Sequence, residues 1–234
     1  MTGDPMPNAF VPGAGNLAPA EAAMVERRQR LLGPAYRLFY ETPVHLVRGE
    51  GVWLYDPEGN AYLDTYNNVA SVGHCHPHVL AATARQSALL ASHTRYLHDT
   101  VLSYAEKLLS HFPPELCHVM FTCTGSEAND LALRIARAQT GGTGIIVTEN
   151  AYHGVTAAVA EFSPSLGSGV PLGAHVRTVP PPDAALGDPA VRFTADVQAA
   201  IDDLIRHGIR PAVLIVDTVF SSDGVHADPK GFLQ

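Results

Sequence analysis

Three short apolar runs limit what this chain can become. His118-Val119-Met120-Phe121, Gly144-Ile145-Ile146-Val147-Thr148 and Ala212-Val213-Leu214-Ile215-Val216 each lead into a polar or small-residue loop. Helix-patterned stretches separate them: one running to about Ala138, one after Gly154, and one over Thr194 to His207. Strands alternating with helices imply βαβ units and a mostly parallel sheet. Parallel strands place their exit loops at one edge, and in open α/β sheets that edge is where ligands bind. The three loops therefore belong to one candidate site.

The first loop carries the strongest local pattern, Phe121-Thr122-Cys123-Thr124-Gly125-Ser126-Glu127-Ala128-Asn129-Asp130. A strand ends, a small-residue turn follows, and a helix begins. Ala128, Leu131, Ala132, Ile135 and Ala138 fall on one helix face and are expected to pack on the sheet, with Asp130, Arg134 and Arg137 mostly opposite. First-turn amides of a helix have no intrahelical partner, and Gly125 lets a ligand approach the backbone. A phosphate there would gain N–H bonds and a dipole contribution of roughly 0.3–1 kcal/mol. Taken alone, the stretch fits an ordinary helix capped by Thr124 or Ser126 better. The second loop, Asn150-Ala151-Tyr152-His153-Gly154, offers a ring that could lie on a planar ligand. The third, Asp217 to Gly224, brings carboxylates that usually only solvate a loop.

Upstream the pattern differs. Residues 1–19 read as a mobile arm rich in Pro, Gly and Ala. Ala20 to Leu32 reads as a helix stopped by Gly33-Pro34. His45 to Arg48, Val52 to Tyr55 and Ala61 to Asp64 read as a small antiparallel meander around the turn Asp56 to Asn60. Helices are expected over Val79 to Ala91 and Val101 to Phe112. Residues 163–190 read as a surface loop with a strand near Val176. The expected division is arm 1–19, helix and small-domain strands 20–76, and large domain 77–234.

Composition narrows the function classes. The net charge is -8, with 15 basic against 23 acidic residues, which leaves no electrostatic footprint for nucleic acid. No apolar run approaches the ~18 residues of a membrane helix. The first twenty residues lack the basic start and apolar core of a secretory signal. Cys75, Cys117 and Cys123 form no disulfide framework and read as reduced thiols of a cytoplasmic enzyme. His74-Cys75-His76-Pro77-His78 is too tightly spaced to converge on one ion, so a structural turn with a packed histidine is expected rather than a metal site.

In this order and spacing, LVRGEGVWLYDPEGNAYLD, VGHCHP, TCTGSEANDLALRIAR, ENAYHG and VDTVFSSDGVHADPKGFL resemble the class III aminotransferases, pyridoxal-phosphate enzymes of fold type I. The resemblance runs from about Leu31 to Gln234. NNVASVGHCHP with TRYLHD looks most like the branch of alanine–glyoxylate-type aminotransferases and ethanolamine-phosphate phospho-lyases. It implies an α/β PLP-transferase large domain preceded by antiparallel small-domain strands. It also implies that the turn Thr124-Gly125-Ser126 holds the cofactor phosphate, and that Tyr152 stacks on the pyridine with His153 beside it. Asp217-Thr218 stands where many members have Glu-Pro at a substrate-gating position.

By the same resemblance, the Schiff-base Lys and the Asp that pairs with the pyridine nitrogen are expected beyond Gln234. The only lysines, Lys107 and Lys230, lie outside the family's lysine context. A homodimer is implied. The expected reaction moves an amino group between an amino donor and a keto acid or aldehyde. A phospho-lyase is the rival, for which Arg95 is the one nameable cation for a substrate phosphate. A non-catalytic fragment is the third reading.

Overall fold

The computed structural model describes residues 8–226 apart from Ala14, Asn67 and Val69. Lys230, the rest of the last motif and the first seven residues of the expected arm lie outside the described residues. The chain divides into two compact units, Met1–Ser103 and Tyr104–Gln234.

The first unit opens with helix α1 (Pro19–Leu32). Ahead of it, the Phe10 amide donates to the Leu38 carbonyl at 2.8 Å and the Tyr40 amide to the Asn8 carbonyl at 2.7 Å. Strands β1 (Arg48–Glu50), β2 (Trp53–Tyr55) and β3 (Ala61–Leu63) form an antiparallel meander in the order β1-β2-β3, its first strand beginning at Arg48, where the expected strand His45–Arg48 ends. The turn forms because the Asp56 carboxylate accepts from the Asn60 amide at 2.8 Å, its side chain at 2.8 Å and the Tyr62 hydroxyl at 2.9 Å. His74 is the packed histidine of its turn, its Nε2 2.7 Å from Asp64 Oδ2. Helix α2 (Pro77–Leu89) follows, and α3 (Asp99–Leu109) runs across the boundary between the units.

The second unit contains α4 (Gly125–Thr140), β4 (Gly144–Thr148), the short α5 (Ala157–Ala160), β5 (Val176–Val179), α6 (Pro189–Arg206) and β6 (Pro211–Leu214). The sheet order is β5-β4-β6, with both pairs parallel. Every residue of β4 is buried, as a central strand covered on both faces must be. Its side chains alternate between two cores. Ile145 and Val147 join Leu133, Val159, Phe162 and Val176 on one face, while Ile146 joins Val179, Phe193, Leu204 and Phe220 on the other. Helix α6 begins five residues earlier than expected. The Asp188 carboxylate caps it by accepting from the amides of Ala190 and Val191, and Pro189 occupies the first turn.

Two expectations about the approach to the site are corrected. The run 118–121 forms no strand. Its residues pair with no strand among the described residues, and an apolar tetrapeptide becomes a strand only by pairing. Met120 and Phe121 stay exposed, and Phe121 instead stacks on Tyr104 with ring centres 5.5 Å apart. The buried face of α4 is also not the one predicted. Leu133 is 1% exposed, and Ser126, Asn129, Ala136, Arg137 and Thr140 share its side of the helix, whereas of the residues expected inward Leu131 is half-buried and Ala128, Ala132, Ile135 and Ala138 are exposed. Polar anchors decide this orientation. Arg137 reaches His175 at 3.2 Å, and Ser126 and Asn129 bond to the loop after β4.

Candidate active site at the carboxyl edge of the sheet

The turn into α4 has the local geometry the sequence predicts. Thr124 sits in extended backbone as the N-cap, and its Oγ1 accepts from the Glu127 amide at 3.1 Å. The first helical bond is donated by the Ala128 amide to the Thr124 carbonyl. Gly125 and Ser126, in the first turn, therefore have no intrahelical acceptor for their amides. A side chain built on Gly125 would enter open space, with nothing within 4 Å. The Glu127 carboxylate accepts from the Cys123 amide at 2.8 Å. An open, glycine-lined helix N-terminus with two free amides fits a phosphate group.

The loop after β4 is bonded to this helix on several sides. Asn129 Nδ2 donates to the His153 carbonyl at 2.7 Å, and the Val155 amide donates to Ser126 Oγ at 3.1 Å. The His153 amide donates to the buried Ser163 hydroxyl at 3.1 Å. Gly154 has φ +135°, and a Cβ there would lie 2.7 Å from Ser126 Cα, so only glycine permits this approach. Tyr152 is 54% exposed at the same edge. His153 faces inward, and its Nε2 is buried with no partner among the described residues. Burial holds this imidazole below its ordinary value of 6.5. The negative charges of Asp217 and Asp223 and a backbone bond to Ile215 pull upward without overcoming it.

Asp217 follows β6, the parallel neighbour of β4, so it exits at the same edge as Tyr152. Its carboxylate serves its own turn, accepting from the amides of Val219 at 3.1 Å and Ser221 at 3.0 Å. Arg95 belongs to the first unit, where it is exposed and its amide donates to His93 Nδ1 at 3.2 Å. Thr124, Gly125, Ser126, Tyr152, His153 and Asp217 are thus gathered in the second unit. The sequence pattern gave no role to Asn129 or Ser163 and read the Asp223 carboxylate only as loop solvation. Their partners lie 24, 10 and 75 residues away, beyond any local pattern.

A glycine-lined helix start and two further loops thus meet at the carboxyl edge of a parallel sheet, the edge at which open α/β folds bind ligands. The family model described as Aminotransferase class-III matches residues 38–234, and the chain belongs to that family. It is 36% identical to a Drosophila melanogaster protein named alanine–glyoxylate aminotransferase 2-like, over 90% of this chain and 45% of that protein. A solved structure of a phospholyase from Arthrobacter in complex with phosphoethanolamine shares 44% identity with a TM-score of 0.83, covering 90% of this chain and 51% of that one. A transaminase solved with PLP bound shares 25% identity with a TM-score of 0.70, covering 94% of this chain and 52% of that one. The chain thus spans about half the length of the relatives it matches. Pyridoxal phosphate is the cofactor of this family, and the α/β architecture is that of a fold type I fragment. Among the described residues no helix is long and apolar enough to cross a membrane.

Proposed function

We propose that the protein carrying this chain is a pyridoxal-phosphate enzyme acting on a small primary amine, and that its reaction is elimination of phosphate from an ethanolamine-phosphate-like substrate. The observation that carries this reading is the 44% identity, over 90% of the chain, to the phospholyase bound to phosphoethanolamine. It shifts the emphasis from the amino transfer expected from sequence. Amino transfer is kept as the second reading because of the family itself and the 36% identity to the alanine–glyoxylate aminotransferase 2-like protein.

In this reading the amides of Gly125 and Ser126, below the Thr124 cap, hold the cofactor phosphate. Their lack of helical acceptors and the open space at Gly125 support it. Tyr152 lies against the pyridine ring, and such stacking contributes about 0.5–1.5 kcal/mol beyond area burial. His153, kept neutral by burial, lines the inner side without adding a charge. When bound, pyridoxal phosphate supplies the electron sink that lets a bond at the amine-bearing carbon break heterolytically. Asp217 keeps its self-bonded turn at the substrate side of the loop, and Arg95 remains the cation proposed for a substrate phosphate.

Lys107 is exposed on α3. The domain limits 20–76 and 77–234, a homodimer and a cytoplasmic location complete the reading. Sizing of the complete protein by light scattering tests the dimer.

The reaction is tested by supplying the complete protein with pyridoxal phosphate and ethanolamine phosphate. The lyase reading predicts acetaldehyde, ammonia and inorganic phosphate in equal amounts, with one water consumed. In a parallel reaction with pyruvate or glyoxylate added as amino acceptor, production of alanine or glycine without phosphate release establishes amino transfer instead.

A further inference from the structure

Asp223 joins the exits of two neighbouring strands. Its Oδ2 accepts from the Thr148 hydroxyl at 2.6 Å and its Oδ1 from the Asn150 amide at 2.9 Å. Thr148 ends β4 and is 2% exposed; Asn150 lies two residues before Tyr152. One carboxylate, 75 residues from Thr148 in sequence, thus bonds the last residue of β4 and the start of the loop that carries the ring.

The platform under Asp223 is itself fixed. Phe220 is fully buried in the second core and adopts φ +53°, a left-handed conformation uncommon for a bulky residue. The Asp223 amide donates to the Phe220 carbonyl at 2.9 Å, and the His226 amide returns to the Val219 carbonyl at 2.8 Å. Asp217 closes the near side by accepting from Val219 and Ser221. A carboxylate on such a platform holds its donors in one direction, because neither the backbone nor the Phe220 anchor can follow a displaced loop.

We propose that Asp223 is a positioning residue that sets the place of Tyr152, and so of the ring that lies against the cofactor. The proposal rests on the cofactor site described under the proposed function. Removing the carboxylate leaves the buried Thr148 hydroxyl without its acceptor and frees the Asn150 amide to turn to water, so the 150–153 segment loses its fixed start.

The test uses the complete protein and pyridoxal phosphate, measuring the dissociation constant by equilibrium dialysis and the induced circular dichroism of the bound chromophore. Asp223→Ala is expected to weaken binding about tenfold and to alter the dichroic band. Asp223→Asn, which retains an oxygen for the Asn150 amide and a nitrogen that Thr148 Oγ1 can accept from, is expected to stay within about twofold of wild type. Thr148→Val on the Asp223→Ala background should add nothing, since the pair acts together. Ala200→Gly, a destabilising change in the core side of α6, should lower the melting temperature while leaving affinity and dichroism unchanged. If wild type binds and Asp223→Ala binds equally well with the same band, or if Ala200→Gly loses as much affinity, Asp223 is a structural staple and the proposal falls. If wild type takes up no pyridoxal phosphate, the cofactor site itself is wrong and this inference falls with it.

Discussion

Asn129 reaches from α4 to the main-chain carbonyl of His153, Nδ2 to oxygen 2.7 Å, and so ties the helix start that offers Gly125 to the loop that offers Tyr152. The bond spans 24 residues. Beside it, Val155 donates to Ser126, and the two contacts tie the turn at 124–126 to the loop that carries Tyr152. Asn129→Ala should cost about 1 kcal/mol of stability, the typical net value of such a bond. Pyridoxal-phosphate affinity should also fall severalfold, which titration of the complete protein will show. Asn129→Asp should be worse, because a carboxylate would face the carbonyl oxygen.

Gly154→Ala should be among the most damaging single-methyl changes in the second unit. Its φ of +135° is unfavourable for alanine, and the new Cβ would press on Ser126. Strain of this kind costs of order 1–3 kcal/mol. Denaturant midpoints of the two proteins measure it, and an unchanged midpoint would mean that the loop is free to move away from α4.

Leu133→Ala tests the orientation of α4. Leu133 is 1% exposed and packs with Ile145 and Val147, so its truncation should destabilise the protein by about 2–5 kcal/mol. Ala132→Ser, on the exposed face, should leave the midpoint within about 0.5 kcal/mol.

The pH dependence of stability should carry a His153 component. Its folded value lies below 6.5, so above that pH the imidazole is neutral in both states and contributes nothing. As pH falls through 6.5 the unfolded chain takes up a proton that the folded chain resists. Stability is therefore lost, and the loss levels off below the folded value. His153→Gln should flatten this part of the curve, as seen in denaturation midpoints at pH 7.5 and 5.5 compared with wild type.

The strand runs 144–148 and 212–216 and the helix start at 124–126 were legible because each is a local pattern: continuous apolar residues, a small-residue turn, then helical spacing. The burial of α4 was not. Periodicity placed Ala128, Leu131, Ala132, Ile135 and Ala138 inward, yet Ser126, Asn129 and Arg137 turn inward because the atoms that satisfy them are Val155 N, His153 O and the His175 ring. The strand expected at 118–121 needed a partner edge that its own residues do not reveal. The carboxylate of Asp223 read as loop solvation, since its acceptor role toward Thr148 exists only once β4 and β6 lie side by side.

A crystal structure of the complete protein with pyridoxal phosphate tests the central claim most directly. The account predicts the cofactor phosphate within hydrogen-bond distance of the Gly125 and Ser126 amides, with the pyridine ring against Tyr152. A phosphate held elsewhere, with the turn at 124–126 facing only solvent, would contradict it.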